Sequence, residues 1–169
     1  MSFFLEDEEE KTMKIEIREI TTENLKEILS LRVRESQKSY IESVEQCLED
    51  AVECNFYQPA GLYRNGELVG FAMYGFFPFE GQKGRVWLDR YLIDEQFQGQ
   101  GLGSIMLEAL LAHLVQLYHC DEIYLSLYGN NQRALHLYQK FGFEFNGEKD
   151  INGESVMVKK LSFLYPQIP

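Results

Sequence analysis

The stretch FQGQGLGSIMLEALL (97–111) sets three glycines on alternate positions, Gly99, Gly101 and Gly103, and runs straight into an apolar segment with the look of a helix. Glycine is about 1 kcal/mol worse than alanine inside a helix. Its accumulation at a helix mouth therefore implies that something must come close to the backbone there. A phosphate is the first candidate, because the free N–H groups and the positive dipole end of a helix N-terminus favour an anion.

The surrounding pattern gives that helix a setting. KIEIREI (14–20) alternates apolar and charged residues, as a half-buried strand does. Thr21 or Thr22 can cap a helix from Glu23 to about Leu31, and a second helix is expected from about Tyr40 to Cys54. The period then changes to two. AGLYRNGELVGFAMYGFF holds Asn65-Gly66 between apolar runs, a strong hairpin signal. GRVWLDRYLID (84–94) reads as a long strand before the glycines, and the helix after them extends to about Tyr118. EIYLSLY (122–128) reads as a strand, NNQRALHLYQKFGF as a short helix closed by Gly142, and the remainder as two strands turning at Asn152-Gly153. The order β-α-α-β-β-β-α-β-α-β-β predicts an α/β (α+β) fold, with helices on the faces of a mixed sheet of about seven strands. Residues 13–169 read as a single domain behind an acidic extension, 1–12.

Composition limits what this fold can do. The chain has 169 residues, 45% of them hydrophobic, and a formal net charge of −11. That charge disfavours nucleic acid and anionic membranes and suits a cationic partner. No apolar run approaches the ~20 residues that span a bilayer. The start lacks a basic region followed by an apolar core, so a cytoplasmic location is expected. Cys47, Cys54 and Cys120, with His113, His119 and His136, show no metal-ligand spacing, so no metal is expected.

Three families use strand, glycine loop and helix to hold a phosphate. A P-loop closes on Gly-Lys-Ser/Thr, but Gly103-Ser104 has no lysine. A dinucleotide fingerprint needs its third glycine one place later, in a parallel βαβ unit. The motif Gln98-x-x-Gly101-x-Gly103 instead resembles the coenzyme A pyrophosphate loop of the GCN5-related N-acetyltransferases. The second signature of that family follows as Asn131-x-x-Ala134-x-x-x-Tyr138-x-x-x-Gly142-Phe143. The resemblance spans roughly residues 14–161 and implies acetyl-CoA as acetyl donor. It places the pyrophosphate on backbone N–H groups of Gln98, Gly99, Gln100, Gly101, Leu102, Gly103 and Ser104. It places the pantetheine arm along Tyr91, Leu92 and Ile93, with Asn131 and Ala134 on its other side. Gln98, Gln100 and Ser104 stand where many relatives carry Arg or Lys, which leaves Arg133 and Lys140 as candidate phosphate cations. Many relatives are homodimers, and the apolar C-terminal LSFLYPQIP suits an interface.

Acetyl transfer to an amine needs a neutral nucleophile and a proton for the departing thiolate. Tyr138 occupies the family's general-acid position, and a phenol of pKa ~10 holds a proton at neutral pH. Asp89 interrupts the apolar strand VWLDRYLI, where a carboxylate is costly to bury, and is expected to position the amine and relay its proton. Strand alternation puts Trp87 and Tyr91 on its face and turns Arg90 away from it.

GFAMYGFFPFEG, RVWLDRYLID and SYIESVEQCLEDA resemble segments of the bacterial spermine/spermidine acetyltransferases. That likeness implies a polyamine acceptor, held by Glu35, Tyr40, Glu42, Trp87 and Asp89. Acceptors of another kind, a protein amine or an aminoglycoside, stay open on the residues alone, as does a non-catalytic acetyl-CoA sensor.

Overall fold

The computed structural model describes residues 12–161. Most of the acidic extension and all but the first residue of LSFLYPQIP lie outside the described residues.

Seven strands form one sheet: β1 (Ile15–Glu19), β2 (Tyr57–Arg64), β3 (Glu67–Phe77), β4 (Arg85–Ile93), β5 (Glu122–Leu127), β6 (Glu144–Lys149) and β7 (Ser155–Lys160). The helices are α1 (Leu25–Ile28), α2 (Val44–Glu53), α3 (Leu102–Tyr118) and α4 (Gln132–Lys140). The strand order is β1-β2-β3-β4-β5-β7-β6, antiparallel everywhere except at β4–β5. Element order and class match the sequence expectation. The β2–β3 hairpin turns at Asn65-Gly66, both at positive φ (50° and 80°), the backbone that this dipeptide favours.

The sheet is covered on both faces. On one, Leu102, Met106, Leu107, Leu110 and Leu114 of α3 pack on Leu62, Val69, Leu88 and Leu125, and α4 adds Leu135, Leu137 and Tyr138. On the other, Ile28, Val44 and Cys47 of α1 and α2 pack on Phe71, Met73 and Leu92. Burial of this apolar area at ~25 cal/mol per Å² is the main stabilising term.

The first two helices are shorter than their sequence pattern predicts. α1 is a single turn, because its last turn tightens: Ser30 N–H bonds the Glu27 carbonyl and Leu31 N–H that of Ile28, both i→i+3. The Arg32 guanidinium then takes the carbonyls of Leu29 and Leu31, which ends the run. α2 begins at Val44 because Ser43 caps it, its Oγ accepting from Gln46 N–H at 3.2 Å. Tyr40, Ile41 and Glu42 consequently lie on the loop ahead of α2, with freedom to turn toward the sheet.

The joint between β4 and β5 matters most for the site. The two strands pair only at Val86–Ile123 and Trp87–Tyr124, and then part. Asp94 N–H bonds Val69 of β3 at 2.8 Å. Alternation along β4 therefore turns the peptide groups of Ile93 and Tyr91 toward the gap.

Candidate active site

A cavity of about 350 Å³ opens where β4 and β5 part. Its wall includes Tyr91, Leu92, Ile93, Gln98, Gly99, Gly101, Gly103, Ser104, Asn131, Arg133, Ala134 and Tyr138, and also Tyr40, Glu42, Asp89, Arg90, Ser126 and Glu154. α3 and α4 lie on one face of the sheet, and the Glu42 loop and α2 on the other, so the gap is a slot through the sheet.

The glycine loop frames one mouth. Gly99 and Gly101 have φ of 80° and 76°, where a side chain is strained. Gly103 is already helical, has an ordinary φ, and a Cβ built on it would meet no protein atom within 4 Å. Nothing inside the protein requires glycine at 103. The space that it keeps clear lies beside the first-turn N–H groups of Leu102, Gly103 and Ser104, which have no intrahelical partner. This cradle suits a pyrophosphate. Lys140 reaches it, its Nζ donating to Ser104 Oγ at 3.2 Å. Tyr91 pins it from below, its hydroxyl donating to the Gly103 carbonyl.

Gln98 braces the slot with its side chain. Its Nε2 donates to the Ile93 carbonyl (2.9 Å) and to Gln37 Oε1 (2.8 Å), while Arg133 donates to its Oε1 (3.4 Å). Asn131 Oδ1 accepts from Ala134 N–H and caps α4. Gln100, Leu102 and Lys140 line the loop without facing the cavity: Leu102 is buried in the core, and Gln100 receives a bond from Arg64.

Tyr138 stands between the two mouths. Its ring packs edge-on against Phe143, with centroids 5.8 Å apart. Its hydroxyl bonds no described residue, and burial holds the phenol well above its usual range, so it keeps its proton at neutral pH.

The other mouth is acidic. β4 carries a bulge: Met73 faces Arg90 and Tyr74 faces Leu88, which leaves Asp89 as the extra residue. The bulge overturns two expectations from alternation. Tyr91 joins Leu88 and Ile93 on the α3 side instead of sharing a face with Trp87. Asp89 and Arg90, expected to diverge, turn to the same side and pair, Arg90 Nη1 to Asp89 Oδ2 at 2.7 Å. Arg90 Nε also lies 2.7 Å from Glu42 Oε2. Burial pushes the Asp89 carboxyl up to about 6, against the pull of Arg90. Beside this pair, Ser126 Oγ contacts Asp150 Oδ2 (2.8 Å) and Glu154 Oε2 (3.0 Å).

Two expected acceptor residues are not brought in. Glu35 pairs with Lys38 in an exposed turn. Trp87 stacks on Tyr124, and its indole N–H bonds Glu80, away from the cavity. Arg90, Ser126, Asp150 and Glu154 were missed. Ser126 carried the same signal as Asp89, a polar residue interrupting an apolar strand, whereas Glu154 sits in a turn where acids are commonplace. Among the described residues, no cluster of three His, Cys, Asp or Glu could hold a metal, and no helix is long and apolar enough to cross a membrane.

A splayed β4–β5 slot with a glycine-lined helix mouth defines an acyltransferase of the coenzyme A type. Residues 18–143 match the acetyltransferase (GNAT) family, and the chain belongs to it. Spermine/spermidine N(1)-acetyltransferase of Bacillus subtilis (strain 168) is 58% identical over 152 residues, covering 88% of this chain and 100% of that protein. The crystal structure of aminoglycoside acetyltransferase AAC(6′)-Ib in complex with coenzyme A shares the fold at TM-score 0.71 and 21% identity, over 87% of this chain and 95% of that one. Spermidine/spermine N-acetyltransferase SpeG of Vibrio cholerae does so at TM-score 0.62 and 20% identity, over 87% and 95%.

Proposed function

We propose that this chain transfers the acetyl group of acetyl-CoA to a primary amine of spermidine or spermine. One observation carries the reading. The slot joins a backbone-built anion cradle to a mouth lined by Glu42, Asp89 and Glu154, with Asp150 behind Ser126, against one guanidinium, Arg90. Such a mouth favours a cation. The 58% identity to a spermine/spermidine acetyltransferase along that protein's full length supports the same substrate class.

Acetyl-CoA, when bound, supplies the activated acetyl group. The first-turn N–H groups of α3, with Lys140, would hold its pyrophosphate, and the Ile93 and Tyr91 peptide groups would hold its arm. Asp89 positions the incoming ammonium, and Glu42 with Tyr40 lines its approach. An alkyl ammonium has pKa ~10.4, so freeing its lone pair near neutral pH costs about 4–5 kcal/mol. Tyr138 donates a proton to the leaving thiolate, and the second N–H proton, shed by the nitrogen as the amide forms, restores the phenol. The reaction is a direct transfer. Burial raises the Cys47 thiol to about 12, which makes it inert as an acyl carrier. In this reading the enzyme acts in the cytoplasm and as a homodimer.

The test is coenzyme A release from acetyl-CoA with spermidine, spermine, putrescine, a lysine peptide and kanamycin side by side. Faster turnover of spermidine or spermine is the expected result. Preference for the peptide or kanamycin overturns the substrate, and tight acetyl-CoA binding without turnover of any amine overturns the catalytic reading.

A further inference from the structure

An acceptor amine must lose a proton, and the structure offers two carboxylates to take it. Asp89 is committed elsewhere: its Oδ2 holds Arg90 Nη1 at 2.7 Å, and Arg90 is itself tied to Glu42. Protonating Asp89 would discharge an ion pair in a half-buried site. Glu154 lines the same cavity and, among the described residues, has no Lys, Arg or His within ion-pair distance.

The bonds of Glu154 are unusual in their proton count. Ser126 Oγ touches both Asp150 Oδ2 (2.8 Å) and Glu154 Oε2 (3.0 Å). A hydroxyl has one proton to donate. With both carboxylates ionised, one of the two contacts has no hydrogen in it. A single added proton completes both. Asp150 is fixed in place for this, its Oδ1 accepting from the N–H groups of Asn152 and Glu154 at 2.9 Å each. Asp150 belongs to the β6–β7 turn, whose next three residues are exposed, so the trio leads from cavity to solvent.

We propose that Glu154, Ser126 and Asp150 form the route by which the acceptor amine loses its proton. The N–H bond of the ammonium breaks, its electron pair stays on nitrogen, and Glu154 takes the proton. Glu154 passes a proton to Ser126 Oγ as the Ser126 hydroxyl proton moves to Asp150. Asp150 releases it to water, and the trio returns to its starting charge. The charged and titratable groups that share the cavity wall with Glu154 are Tyr40 and Glu42 of the loop before α2, Asp89, Arg90 and Tyr91 of β4, and Arg133 and Tyr138 of α4, with Asp150 behind Ser126. Lys149 on β6 is bonded to Ser155 Oγ. Burial raises the Glu154 carboxyl against the opposing pull of the Ser126 bond and of Arg90, with Asp150 and Glu42 adding to the rise.

This inference rests on amine acetylation at this site but not on which amine is preferred. The test compares wild type with Glu154→Gln and Ser126→Ala from about pH 6.5 to about pH 9.5, using spermidine. If wild type turns over another primary amine instead, that amine is used, and the substrate reading alone has failed. Ser126→Ala keeps both carboxylates and removes one atom, so it separates the route from the local charge. Near pH 7 each variant is expected to lose about 10²-fold in kcat, the low end for a positioned general base. KM for acetyl-CoA should hold. The loss should shrink steadily as pH approaches the amine pKa of ~10.4, where the amine arrives already neutral and the first deprotonation, the one this route serves, is not needed. A loss of the same size at every pH, a loss confined to KM for the amine, or no loss overturns the proposal.

Discussion

The two mouths of the slot are built by different means. On the α3 side the cradle is backbone: N–H groups, two glycines at positive φ and a third that only keeps space open. On the α2 side the wall is side chains: four carboxylates, a guanidinium and a hydroxyl, brought together from β4, β5, the loop before α2 and the β6–β7 turn. A backbone cradle reads a feature common to every coenzyme A thioester and is damaged by added bulk. The proposed function gives the side-chain wall the acceptor to read, and such a wall is damaged by removed charge. The two should therefore fail in different kinetic constants.

The largest effect is expected at their junction. If the phenol is the proposed acid, Tyr138→Phe should lower kcat by about 10²–10⁴-fold with little change in either KM, since its hydroxyl bonds no described residue and the ring that packs on Phe143 is kept. An unchanged kcat would remove Tyr138 as the acid. Next is Gly103→Val. Its Cβ meets no protein atom, so the melting temperature should hold while coenzyme A affinity, measured by titration calorimetry, falls by about 10²-fold. Gly103→Ala sharpens the point: alanine is the better helix former by up to about 1 kcal/mol, so this variant should melt higher and still bind coenzyme A less well. A rise in stability without loss of affinity would break the contrast between the mouths.

On the acidic side, Asp89→Asn should reduce kcat/KM for spermidine by about 10-fold and leave KM for acetyl-CoA alone. The sign with pH follows from its raised carboxyl. Asp89 is ionised above about 6 and can hold an ammonium there, so wild-type kcat/KM should fall as pH drops through about 6, and this limb should vanish in Asp89→Asn. Smallest is Lys140→Ala, expected to weaken coenzyme A binding a few-fold at low salt and less at high salt, because Lys140 is exposed and screened.

The backbone mouth was legible in the sequence because glycine spacing is a local property. Gln98, Gly99, Gly101 and Gly103 are neighbours in the chain, and the N-cap and helix that follow are read within a few residues. The acidic mouth was half legible. Asp89 stood out on β4, but its partnership with Arg90 depends on a bulge set by how β3 pairs with β4, and no single strand carries that information. Glu154 reaches the cavity, with Asp150 behind Ser126, only because β7 pairs with β5 at Val156–Ser126, a contact across 30 residues of chain. Trp87 lies outside the cavity lining for the same reason, since the bulge lies between it and the slot.

The slot passes through the sheet, and this sets the traffic of the reaction. A blind pocket forces its second guest to leave before the first. In the proposed reading each reactant has its own door, and neither product blocks the other's exit. Both reactants must be present together, so initial-rate plots should intersect. Coenzyme A should compete with acetyl-CoA alone, and the acetylated amine with the free amine alone.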